Sequence, residues 1–216
     1  LNNEEMLRMD LIGPFAENIL EKMGRDPDNF QWVFEGTTLL STKYDLGGSP
    51  RFVNLVDIGV IQKYVEKVLK FQNVDLISLE AFDLIRIAEG VPRAGVDYST
   101  ENFPQEAALG NHISYNKGCY IGQEPHARMY HRGHPNWLSV WLKIPGKSPA
   151  AAGSPLFQGG KEIGEITSFG ESIKDEGFHR GIAMIRHEIA KEKKLLALAP
   201  DQQPFIEHEP LPNSIS

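Results

Sequence analysis

Cys119 is the only cysteine in this 216-residue chain. No intramolecular disulfide can therefore staple the fold, and the composition suits a reducing compartment; the bacterial cytosol and an organelle matrix both fit. Long apolar runs are missing as well. None approaches the roughly 20 residues that a membrane-spanning helix needs. Positive charge is in short supply: 22 Lys and Arg stand against 29 Asp and Glu, for a net charge of −7. That balance argues against a general nucleic-acid binder. Nowhere does the sequence contain G-x-G-x-x-G, a Walker loop or H-E-x-x-H, so the usual dinucleotide, nucleotide and zinc-protease signatures are excluded. Nor does any internal repeat show.

What is present reads as an ordinary globular chain, 41% apolar and 24% charged, long enough for one large domain or two modest ones. Residues 6–12 read as a strand ended by Gly13-Pro14. Phe15, Ile19, Leu20 and Met23 then share a helical face, and Gly24 stops that helix. Residues 31–42 and 51–56 read as strands joined by a turn around Asp45-Leu46-Gly47-Gly48. Val60, Ile61, Tyr64, Val65, Val68 and Leu69 predict an amphipathic helix. Ser78 reads as the N-cap of another, with Ala81, Leu84, Ile85 and Ala88 turned inward and Gly90 and Pro92 at its end. This alternation predicts an α+β domain over residues 1–133.

Beyond Gly133 the texture changes to short strand-like runs at 138–144, 155–157, 161–168, 178–185 and 195–198, separated by Gly, Pro and Ser. Gln158-Gly159-Gly160-Lys161 suits a hairpin turn. Such spacing predicts a small antiparallel β-barrel over 137–200. The Pro-, Gln- and Glu-rich residues 201–216 read as a flexible tail.

Chemistry concentrates at Lys117-Gly118-Cys119-Tyr120-Ile121-Gly122-Gln123-Glu124. Pro125 suits the first turn of a helix that Gly133 and Pro135 would end. Cys119 then precedes a positive helix end and stands close to Lys117, and both favour a thiolate; the alternative is a small buried hydrophobe. His112, Cys119, His126, His131 and His134 could be imagined around zinc, but no pair has a ligand spacing, and no metal site is predicted. Lys117, Arg128 and Arg132 form a local basic cluster in an acidic chain, which suits either an anion or a solvated face. Arg86 falls in the inward part of its helix and needs a partner or a ligand, with Glu89 one turn away as the simplest partner.

The octet at 117–124 matches, without a gap, the K-G-C-[FYW]-x-G-Q-E signature, and on it the chain resembles the YgfZ-type folate-binding proteins, relatives of the glycine-cleavage T-protein that serve iron–sulfur cluster assembly and repair. Ile85-Arg86-Ile87-Ala88-Glu89-Gly90-Val91-Pro92 resembles the family's L-R-I-x-x-G-x-P helix end. Phe103-Pro104-Gln105-Glu106-Ala107 is similar to its P-x-E segment. Gly164-Glu165-Ile166-Thr167-Ser168 resembles its G-x-V-T-S strand, and Leu11-Ile12-Gly13-Pro14-Phe15-Ala16 its L-x-G-P-x-A helix entry. The likeness covers all but the tail. It also implies that a segment the family carries before the L-x-G-P stretch is lacking here, taking part of the folate-binding domain with it.

By this resemblance the first domain should hold tetrahydrofolate or a related folate. Lys117 and Arg128 would meet the anionic glutamate tail, with Arg132 beside them, and Arg86 would make a more interior contact. Tyr120, Gln123 and Glu124 would border the ligand, Gln123 and Glu124 also anchoring the turn. Cys119, assisted by Lys117, would ligate iron or a cluster transiently or act as a nucleophile on behalf of carrier or client proteins. That implies a binding role rather than classical turnover. The rival reading is an aminomethyltransferase, a folate-dependent one-carbon transferase. Its G-Y-T-G-E-x-G stretch has no counterpart glutamate in Tyr44-Asp45-Leu46-Gly47-Gly48-Ser49-Pro50. An adaptor role with folate as an effector, and an RNA-related role through the basic cluster, are further alternatives.

Overall fold

The computed structural model describes residues 6–46, 49–115 and 117–211, without the side chains of Asp45, Leu46, Asn111 and Arg132. The chain divides into two compact units, 1–78 and 79–216. In the first, an antiparallel sheet of order β1-β4-β3-β2 is formed by β1 (Met6–Ile12), β2 (Gln31–Phe34), β3 (Thr37–Leu46) and β4 (Ser49–Asp57). Helices α1 (Ala16–Lys22) and α2 (Ile61–Val68) contribute Ile19, Leu20, Tyr64 and Val68 to a core shared with Trp32, Phe34, Leu39, Phe52 and Val56. Alternate residues of each strand supply that core, as the two-residue period of a strand requires. The single strand expected over 31–42 is instead a hairpin. It bends at Glu35 and Gly36, both with positive φ (50° and 78°), the backbone that a two-residue hairpin loop demands. Of the turn expected at 45–48, Gly47 and Gly48 lie outside the described residues.

The second unit opens with α3 (Leu79–Ala88), followed by a long irregular stretch, α4 (Gln123–Arg132), and a sheet of order β6-β7-β8-β5-β9. Its strands are β5 (Trp137–Pro145), β6 (Pro155–Gln158), β7 (Lys161–Glu171), β8 (Phe178–Arg186) and β9 (Glu207–Pro210), with the short helix α5 (His187–Ala190) after β8. All pairings are antiparallel. Leu138, Val140, Leu142 and Ile144 of β5 meet Leu156, Ile163, Ile166, Ala183 and Ile185 in the core. At Gly164, φ is +154° and a Cβ would sit on the Met184 carbonyl, so close strand approach there requires glycine. The edges of the sheet are linked through one short segment: Phe157 bridges Ala197, and Leu196 bridges Ile206 just ahead of β9. These pairings curl the sheet round its core, but they do not amount to a continuous closed barrel.

Two expectations need correction. The boundary falls at Ser78/Leu79 rather than near Gly133, because the segment after α3 is bound to the second sheet: Arg86 of α3 reaches Ser168 of β7, and the Ser139 amide donates to the Glu106 carbonyl at 2.7 Å. The tail is not loose up to Leu211. Ile206 and Leu211 are buried and β9 pairs with β5, so apolar burial offsets the ordering entropy of a polar stretch. Residues 212–216 lie outside the described residues.

Candidate functional site

Helix α4 begins and ends where the sequence predicts, from Gln123 to Arg132, with Gly122 as a left-handed N-cap (φ 84°) and Gly133 as C-cap. Cys119 lies three residues ahead of that N-cap, and its thiol is exposed and free. It is not a buried hydrophobe. Beside it Ile121 is wholly exposed, so the motif projects from the surface. The Lys117 Nζ stands 4.8 Å from the centroid of the Tyr120 ring, a cation–π contact. The Tyr120 hydroxyl is enclosed and has no hydrogen-bond partner among the described residues.

Gln123 donates its amide to the Tyr120 carbonyl at 3.2 Å, and no side chain caps the helix. Glu124 accepts from Arg128 at 3.0 Å in a largely exposed pair across one turn. Such a pair is weak and readily exchanged for another ion. The four histidines of the region do not converge. His126 Nδ1 meets Gln105 Oε1 at 3.0 Å, His131 stands edge-on to Tyr130, His134 stacks on His187, and His112 is exposed. Among the described residues no three His, Cys, Asp or Glu are placed to hold a metal ion.

Arg86 is only 3% exposed, and its partners belong to the fold. Its Nε donates to Asp83 at 2.6 Å, Nη1 to Asp97 at 2.7 Å and to the Val91 carbonyl at 3.2 Å, and Nη2 to Ser168 Oγ at 2.7 Å. Asp97 also accepts from the Arg93 amide and from Thr167 Oγ1. Four of the five guanidinium N–H groups are thus bonded within the fold, so Arg86 has the partners that a buried charge needs. Glu89, its expected partner, pairs with Lys174 instead.

Between α4 and residues 103–106 and 134–136 lies a cavity of about 460 Å³. Phe103, Pro125, Met129 and Pro135 give it apolar walls; Glu106, Glu124, Arg128, His134 and Asn136 supply polar groups. Glu106 is 6% exposed, and its carboxylate accepts the Phe103 amide at 3.1 Å. The sequence reading passed over Glu106 and Gln105 as site residues, although both fall in the P-x-E segment. The cavity brings Glu124 and Arg128 together with Glu106. Arg86 is not among its lining residues.

No family model matches the chain. It is 32% identical over 134 residues to the tRNA-modifying protein YgfZ of Colwellia psychrerythraea, covering 60% of this chain and 40% of that protein. It is 29% identical over 174 residues to the aminomethyltransferase of Desulfitobacterium hafniense strain DCB-2, covering 76% and 47%. The chain thus spans less than half the length of these curated relatives. The crystal structure of glycine cleavage system aminomethyltransferase T from Bartonella henselae superposes with a TM-score of 0.73 at 23% identity, over 95% of this chain and 59% of that one. In sequence the chain is thus similar both to YgfZ-type proteins and to aminomethyltransferases, and it shares the fold of the glycine-cleavage T-protein.

Proposed function

We propose that this chain is part of a folate-binding protein that supports iron–sulfur cluster assembly or repair, with Cys119 as its working thiol. The observation that carries this reading is the exposed Cys119, presented on a projecting loop whose sequence is K-G-C-Y-I-G-Q-E. Thiolate sulfur is a soft ligand for iron, and an accessible one can take a metal or a cluster from one protein and pass it to another. The residues of the cavity fit part of a folate. Glu106 has carboxylate capacity for the amino-bearing edge of a pterin, Phe103 and Met129 suit its ring, and Arg128 at Glu124 can exchange its partner for the glutamate tail. The enclosed Tyr120 hydroxyl is a further group in want of a partner. Iron–sulfur carriers or client enzymes would be the protein partners.

The test is anaerobic calorimetric titration with tetrahydrofolate, paired with restoration of a cluster-dependent enzyme in cells deprived of this protein. Cys119→Ala should bind folate within about twofold of wild type and restore less than a tenth of the activity. Full restoration by that variant would overturn the role of the thiol, and absence of folate binding by the full-length protein would overturn the folate reading.

A second reading, aminomethyl transfer to tetrahydrofolate, is favoured by the relatives of that name. Against it stands Tyr44–Pro50, where the aminomethyltransferase glutamate has no counterpart. Release of methylene-tetrahydrofolate from an aminomethyl carrier would establish it.

A further inference from the structure

The loop that carries Cys119 is tied at both ends to one buried side chain. Gln105 is 2% exposed. Its Nε2 donates to the Tyr115 hydroxyl at 3.3 Å, on the near side of the loop, and to the His126 carbonyl at 3.4 Å, on the far side. Its Oε1 meets His126 Nδ1 at 3.0 Å. A carbonyl can only accept, so Nε2 of Gln105 must face the His126 carbonyl. Oε1 is thereby left to accept, and His126 carries its proton on Nδ1. The amide has one orientation that satisfies all three partners.

Ring contacts reinforce both ends. Tyr115 stacks on Tyr130 of α4 with centroids 4.1 Å apart, and Phe103 stands edge-on to His126 at 5.6 Å. Burial raises the Tyr115 pKa, against the opposing effect of the Gln105 hydrogen bond, so the phenol stays neutral and keeps its place in the network. Residues 117–122 lie between these anchors with exposed side chains at Lys117, Cys119 and Ile121. The loop's own contacts among the described residues include the Lys117–Tyr120 cation–π pair and the Gln123 amide on the Tyr120 carbonyl, and a buried, satisfied polar network is the kind of device that selects one conformation from many.

We infer that Gln105 is a positioning residue for the Cys119 loop: it fixes how the thiol is presented without touching it. This rests on the reading of Cys119 given above. In Gln105→Leu the Tyr115 hydroxyl, the His126 carbonyl and Nδ1 lose their partner together. Amide hydrogen exchange at residues 117–123 should then accelerate at least about tenfold, since each hydrogen bond lost is worth roughly a factor of five. Restoration of the cluster-dependent enzyme should fall about tenfold. Alkylation of Cys119 by iodoacetamide should stay within about twofold of wild type, because the thiol is exposed in either case. Gln105→Glu keeps an acceptor for His126 Nδ1–H and for the Tyr115 hydroxyl but sets a carboxylate oxygen against the His126 carbonyl, so it should recover only part of both losses.

Exchange at 117–123 within twofold of wild type in Gln105→Leu would overturn the clamp. Faster exchange with unchanged restoration would overturn its importance for the thiol. If Gln105→Leu fails to fold, Tyr115→Phe removes one hydrogen bond while leaving the ring stack, and exchange about fivefold faster in the same segment is expected, with no change overturning the inference. Should Cys119→Ala prove fully active, the functional reading falls, and the exchange rates alone decide whether Gln105 holds the loop.

Discussion

His134 and His187 lie face to face, ring centroids 4.1 Å apart and planes 3° from parallel. His187 is buried at the start of α5, and its pKa is lowered first by that burial, then by His134 and Lys191, with Glu188 opposing. An unfolded chain therefore takes up a proton at this histidine more readily than the folded one. The sign follows: stability from this site is full above about pH 6.5, the ordinary value, and declines as pH falls from there toward the depressed folded pKa. Thermal melts at pH 7.5 and pH 5.5 should show the lower midpoint at pH 5.5, and His187→Phe should shrink the difference. An unchanged difference would mean that other groups carry it. Neither ring contact nor burial of His187 was legible in the sequence, where it stands in a polar run with no periodic signal.

At the scale of elements, the junction of α3 with β7 is held by an ion pair that spans three stretches of chain. Asp97 is wholly enclosed between Arg86, the Arg93 amide and Thr167. Asp97→Ala would leave the buried Arg86 guanidinium with one of its two carboxylate partners, and breaking such a pair costs about 3–5 kcal/mol. Chemical denaturation should show that loss with little change in slope; a loss below about 1 kcal/mol would contradict the assignment. The sequence marked Arg86 as a buried charge in need of a partner and named the wrong one. Glu89 is near in sequence, whereas Asp97 is brought in by the turn after Pro92, and pattern reading sees only near neighbours.

Helices fared better. Their periodic faces and glycine stops placed α1, α2, α3 and α4 to within a few residues. The hairpin at Glu35-Gly36 escaped because glutamate is a poor signal for positive φ and only the tertiary pairing of β2 with β3 imposes it. Strand β9 escaped because Glu, His and Pro gave no alternation, while its anchors Ile206 and Leu211 sit just beyond its ends. The motif octet was legible as the lead-in to α4. Its supporting residues were not, since Gln105 and His126 meet only in the fold.

At the scale of the molecule, the units each possess a core of their own. That of the first is built on Trp32, Phe34, Leu39, Phe52 and Tyr64, that of the second on Leu138, Leu142, Ile144, Leu156 and Ile185. A polypeptide of residues 79–216 should therefore unfold in a cooperative transition of its own, followed by near-ultraviolet circular dichroism; a featureless spectrum would show that this core depends on the first unit. No helix is long and apolar enough to cross a membrane among the described residues. The bridges that join Phe157 to Ala197 and Leu196 to Ile206 have a bearing on behaviour in crowded solution. Unpaired backbone at the rim of a sheet is where foreign strands add and aggregates begin. Here the rim of the second sheet is occupied by its own chain at these points, so recruitment there requires Leu196 and Ile206 first to leave the core.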